Sequence, residues 1–193
     1  ITEYSDLKYD VVFIGTAWPE RCSLITELIN SLNKHNLKYR FLMPQNPFIP
    51  REYIDLLPVR EFEREVRLSP KNMADLQNLS LVSLVLFRSF SADLIDRPQS
   101  SPTNRFYETA LSGTYPIFLT SSVRITNYYS SLKDYCINPY SESLLVNQVC
   151  SLVLDLKSNI VKRNAEALRI QNYITDNTYK SRIDDILKLL IRS

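Results

Sequence analysis

The chain has 193 residues, enough for one large domain or two small ones with a proper core. Apolar residues make up 45% and charged residues 23%, and the net charge of +2 supplies no basic field that would argue for nucleic acid. Two glycines, where average usage would give roughly 13, exclude glycine-rich phosphate loops of the Walker or dinucleotide type.

The first predicted element is Tyr9 to Thr16, "YDVVFIGT". It is a β-branched run ending in glycine, and it reads as a strand buried on both faces, as in a parallel sheet. "AWPER" follows as a turn. Cys22 to Leu37 then places Leu24, Ile25, Leu28, Ile29 and Leu32 at the spacing of an amphipathic helix. "LKYRFLM", Leu37 to Met43, is a second strand, so the chain opens with a βαβ unit. Met43 to Pro58, with four prolines, is irregular or carries a short helix. Ser69-Pro70 marks a helix start, with serine as the cap and proline at the first helical position, and that helix runs to about Leu79.

"LVSLVLF", Leu81 to Phe87, is a third buried strand, followed by a polar loop from Arg88 to Pro102. A helix is predicted over Thr103 to Ser112, with Gly113 as its left-handed stop. Strands follow at Tyr115 to Thr120 and Asp134 to Pro139. Helices are then predicted from Ser141 to about Leu156, from Asn159 to Ile174 and from Tyr179 to Ile191. The alternation predicts an α/β fold: a Rossmann-like, doubly wound parallel sheet of about five strands with a helical C-terminal tail. The division expected is a sheet domain over 1–176 and a terminal helix over 177–193.

Such sheets bind ligands outside the carboxyl ends of their strands. The loops of interest are therefore Gly15 to Arg21, Arg88 to Arg105 and Thr120 to Arg124. Arg105 and Glu108 stand three apart and share a helix face. Near a helix N-terminus, such a face could meet an anion or accept bonds from sugar hydroxyls; the same spacing also suits a local salt bridge. Glu166, on a late helix, is expected to matter to neither ligand nor fold. Cys22, Cys136 and Cys150 lie far apart without a CxxC pair, and His35 is the only histidine, so no metal site is expected. The longest apolar run, Leu79 to Phe87, falls short of the ~20 residues of a membrane helix. No transmembrane segment and a cytoplasmic location are the expectations. The opening residue is Ile1, which suggests a piece of a longer chain.

"SPTNRFYETALSGTYPIF" resembles a segment of GT-B glycosyltransferases that reads roughly Pro-x-x-Arg-x-x-Glu-Ala-x-x-x-Gly. It is most similar to the spore-maturation-protein-like branch. "YDVVFIGTAWPER" resembles that branch's opening strand, loop and arginine. "NTYKSRIDDIL" resembles its closing His-Thr-Tyr-x-x-Arg signature, with Asn177 at the histidine position. The resemblance implies the C-terminal half of a GT-B enzyme, with a nucleotide-diphosphate sugar as donor substrate and no other cofactor. An N-terminal half or a partner protein would supply the acceptor site. Glu108 would bind the ribose hydroxyls, and Arg105 would lie beside the diphosphate or brace the site. Gly15, Thr16 and Arg21 would meet the phosphates, and Arg88 would approach from the third strand. Ser100 stands where many relatives carry a donor-sugar glutamate, and Thr109 stands where they carry alanine. No catalytic base is identifiable, and no Asp-x-Asp points to the metal-dependent class. The alternative is a GT-B half that has lost catalysis and serves as a protein-interaction scaffold. A response-regulator-like or other flavodoxin-like domain is disfavoured, because no acidic cluster follows the first strand.

Overall fold

The computed structural model describes residues 6–16, 18–44, 46–47, 49–55, 57–58, 68–86, 104–119, 135–137, 142–175, 180, 183–184 and 187–188. The strands are β1 (Tyr9–Ile14), β2 (Tyr39–Leu42), β3 (Ser80–Leu86), β4 (Tyr115–Leu119) and β5 (Cys136–Ile137). The helices are α1 (Pro19–Lys34), α2 (Arg51–Asp55), α3 (Pro70–Asn78), α4 (Asn104–Leu111), α5 (Glu142–Ser158) and α6 (Ile160–Thr175).

The sheet runs in the order β2-β1-β3-β4-β5, and every neighbouring pair is parallel. Val11 is partnered by Tyr39 on one side and Val82 on the other, and Val82 in turn by Tyr115. The expected doubly wound α/β sheet is therefore present. Each strand overlaps its predicted run, although β5 is only two residues long. The chain leaves β1 toward β2 on one side and reaches β3 on the other. That reversal is the switch point at which open α/β sheets place their ligands. The 2-1-3-4-5 order is also that of flavodoxin-like sheets, so the topology by itself names no function.

Period-two alternation explains why β1 carries almost only apolar residues. Val11 and Phe13 join a core with Leu24, Ile25 and Leu28 of α1 and Val149 of α5. Val12 and Ile14, with Leu42, pack on Leu68, Met73 and Leu76 at and before α3. Helix α1 packs against α5 on one side of the sheet, while α4 contacts α3, α6 and β4.

Local rules set most helix ends. Proline at the first position starts α1 at Pro19, three residues before the predicted Cys22. Ser69 caps α3 as expected, its hydroxyl accepting the Asn72 N–H at 3.2 Å. Asn159 caps α6 by accepting the Lys162 N–H at 3.0 Å. Gly113 has φ +81°, the predicted left-handed stop after α4. The predicted cap Ser141 and the loops 88–102 and 120–124 lie outside the described residues. Of the terminal helix, Lys180, Ile183, Asp184, Leu187 and Lys188 are helical and exposed. Ile183 and Leu187 are 55% and 49% exposed; Ile186 and Leu190 lie outside the described residues. Among the described residues, no single helix is long and apolar enough to cross a membrane.

Candidate functional site

A cavity of about 460 Å³ opens at the carboxyl ends of β1 and β2. Its floor is Ile14 and Leu42, the last residues of those strands, followed by Gly15, Thr16 and Pro44. Leu68 and Met73 close one wall, and Arg105 of α4 supplies the charge. The residues Gly15, Thr16 and Arg105, singled out in the sequence, thus meet at one site. The place is where a parallel sheet exposes its ligand crevice.

Gly15 is there for space. Its N–H donates to the Leu42 carbonyl at 3.1 Å, holding the loop against β2. A Cβ at this position would come within 2.7 Å of the Phe13 ring, which is itself buried. A glycine here therefore lets the backbone pass close to the Phe13 ring at the edge of the cavity.

Arg105 stands in the first turn of α4 and is held by two acceptors. Its Nη1 donates to Glu108 Oε2 at 2.8 Å and to Met73 Sδ at 3.2 Å. The local salt bridge that the spacing allowed is formed, and it lies partly in solvent: the two side chains are 30% and 50% exposed. Glu108 itself lies outside the cavity wall. It also sits in the second turn of α4, whose first turn has no acidic residue. The macrodipole fades within the first turn, so the arginine, rather than the helix end, is what holds this carboxylate.

Arg21 behaves differently from the expectation of a phosphate contact at the loop. It is only 6% exposed, and its Nη1 donates to the Thr16 carbonyl at 3.3 Å. It braces the β1–α1 loop from beneath and does not line the cavity. Arg88 lies outside the described residues, as do Ser100 and the loop that carries both.

The sequence reading missed the polar contacts that place this site. Gln77 of α3 is buried, and its amide donates to Thr109 Oγ1 at 2.8 Å and to Ser83 Oγ at 3.3 Å. Thr109, the departure from the family's alanine, is thus a buried acceptor joining α4 to α3. Arg163 is fully buried at the amino ends of β3 and β4. It donates to the carbonyls of Leu81 at 2.9 Å and Ser80 at 2.8 Å. Removal from water lowers its pKa to about 10. The signal for Arg163 was its phase: it falls in step with Ala167, Ile170 and Ile174, the buried stripe of α6.

Glu166 also departs from its expected neutrality. The Tyr135 hydroxyl donates to Glu166 Oε2 at 2.6 Å, and Arg169 Nε donates to the same oxygen at 2.8 Å. The tyrosine bond first, and then the bond and charge of Arg169, hold the Glu166 carboxyl below its ordinary pKa. Burial first, and the carboxylate second, push the Tyr135 hydroxyl upward. This cluster ties α6 to the start of β5, away from the cavity. His35 caps the end of α1 and is exposed, on the other side of the sheet's length from the cavity. Among the described residues, no group of three His, Cys, Asp or Glu side chains is placed to hold a metal ion. The chain matches no family model and no curated protein.

Proposed function

We propose that the chain is the donor-binding half of a GT-B-type glycosyltransferase that takes a nucleotide-diphosphate sugar. The observation that supports this most is the cavity at the carboxyl edge, with Gly15 and Thr16 on its floor and Arg105 in its wall. Arginine suits a diphosphate because its planar fork matches phosphate oxygens. A guanidinium that stays charged at the leaving group stabilises the negative charge developing there without a metal. Glu108, half-exposed one turn along, accepts the ribose hydroxyls. Gly15 allows the diphosphate to lie close to the backbone. The acceptor and any catalytic base come from another half or a partner protein.

The second reading is a scaffold that has lost catalysis. It draws support from Arg21, whose guanidinium serves the loop beneath the site. Calorimetric titration of nucleoside diphosphates separates the two. We expect binding by the parent chain, and affinity about tenfold or more lower in Glu108→Gln. That tenfold corresponds to ~1.4 kcal/mol, close to the lower end of the ~1.5–3 kcal/mol of one hydrogen bond to a charged acceptor. The stability of this exposed variant should change by less than ~1 kcal/mol, the most that a surface ion pair contributes. Glu27→Gln, exposed on α1, is the control and should change neither. If the parent chain binds no nucleoside diphosphate, the donor reading fails and the scaffold reading replaces it.

A further inference from the structure

Resting on the donor-site reading for the identity of the ligand, we infer that Glu108 is a charge clasp as well as a sugar contact: it competes with the ligand's diphosphate for Arg105. The geometry is direct. One nitrogen, Arg105 Nη1, carries both the 2.8 Å bond to Glu108 Oε2 and the 3.2 Å contact with Met73 Sδ. Glu108 lies outside the cavity while Arg105 and Met73 line it. An anion inside the cavity and the carboxylate outside it therefore pull one guanidinium in different directions.

The pair is of the kind that exchanges readily. Both side chains are partly in water, where such ion pairs are weak. A diphosphate offers the guanidinium several charged oxygens in place of one carboxylate. Met73 faces the same nitrogen from α3, so the side chain keeps a contact at the cavity wall as the carboxylate lets go. The released carboxylate is then available to hydroxyls. Ligands carrying both a diphosphate and a vicinal diol gain from the exchange twice; an anion without a diol gains once and leaves Glu108 unpaired. The clasp thus discriminates against phosphate and pyrophosphate, which carry no sugar.

Inorganic pyrophosphate is the probe, titrated into the parent chain, Glu108→Gln, Arg105→Gln and the double variant. Removing the competing carboxylate should tighten pyrophosphate binding about two- to fivefold, the strength of a surface ion pair. Loss of a nearby negative charge would tighten any anion slightly, so the cycle is needed. In the Arg105→Gln background the gain from Glu108→Gln should fall to less than half. An equal gain in both backgrounds overturns the clasp, as does unchanged or weaker pyrophosphate binding in Glu108→Gln, or none to any variant. Nucleoside diphosphate distinguishes the two readings: should the parent chain fail to bind it while the Arg105-dependent gain for pyrophosphate persists, the donor reading falls and the clasp stands.

Discussion

Gly113 offers a clean separation of backbone strain from crowding. It ends α4 at φ +81°, a region where an L-residue with a Cβ is strained. A Cβ built there would meet Asn78 Oδ1 at 3.7 Å and Gln171 Nε2 at 3.9 Å, both ordinary contact distances. Crowding therefore contributes almost nothing, and the loss in Gly113→Ala is conformational. The left-handed backbone costs about 1–2 kcal/mol for a residue with a Cβ. Against it stands the reduced freedom of the unfolded chain, about 0.4–1 kcal/mol in favour of alanine. The net expectation is a loss of about 1 kcal/mol, read as a lower urea midpoint at unchanged m-value and a Tm lower by about 2–4 °C. Gly15→Ala is the counterpart, since its Cβ would lie 2.7 Å from the buried Phe13 ring. There the loss is one of overpacking, about 1–3 kcal/mol. A Gly113→Ala variant as stable as its parent would show that the chain does not hold the left-handed turn, and the account of α4's end would be wrong.

Two further predictions concern charges away from the cavity. The Tyr135–Glu166 bond lowers the carboxyl's folded pKa, so its contribution is complete above the unfolded glutamate value of about 4.3 and is lost as pH falls through the folded one. Tyr135→Phe should accordingly cost about 1 kcal/mol at pH 7, discounted for the carboxylate's part exposure, with the difference from the parent shrinking below about pH 4; a difference that stays constant from neutral to acid pH would rule out the carboxylate as the partner that matters. Arg163 is buried among neutral acceptors, so Arg163→Ala should cost about 3 kcal/mol in urea unfolding, as for a large truncation, whereas Arg163→Met keeps volume, sheds a buried charge and should cost clearly less. Equal losses would contradict that account.

The sheet was legible because parallel strands buried on both faces must be written as near-continuous apolar runs, and "YDVVFIG" and "LVSLVLF" are such runs. Ser69 before Pro70 and Gly113 after α4 were legible because each satisfies a local backbone need that few other residues can. The start of α1 lies three residues before the predicted Cys22 because Pro19, which suits a turn, fits equally at a helix's first position. At the site, Gly15, Thr16 and Arg105 could be found from the rule that ligands sit at carboxyl ends. The walls at Leu68 and Met73 could not, because they arrive through packing between elements far apart in the chain. Gln77, Thr109 and Arg163 were overlooked for a common reason: composition marks them as surface residues, and only their helical phase marks them as buried. Arg21 misled in the opposite sense, since its place after a loop said nothing of the direction in which its side chain turns.

The buried bond from Gln77 to Thr109 has a consequence for the cavity above it. Met73 precedes Gln77 by four residues, and Arg105 precedes Thr109 by four. The two contacts between α3 and α4 are therefore rungs one turn apart, one in the core at 2.8 Å and one at the cavity wall at 3.2 Å. Apolar side chains would let two helices slide with little penalty, but an amide aimed at a hydroxyl does not. Slipping one helix by a single residue would swing every side chain by about 100° and shift it by about 1.5 Å, carrying Arg105 off the wall. The height of Arg105 in the cavity wall is thus gauged by a polar pair that lies in the core and lines no part of the cavity.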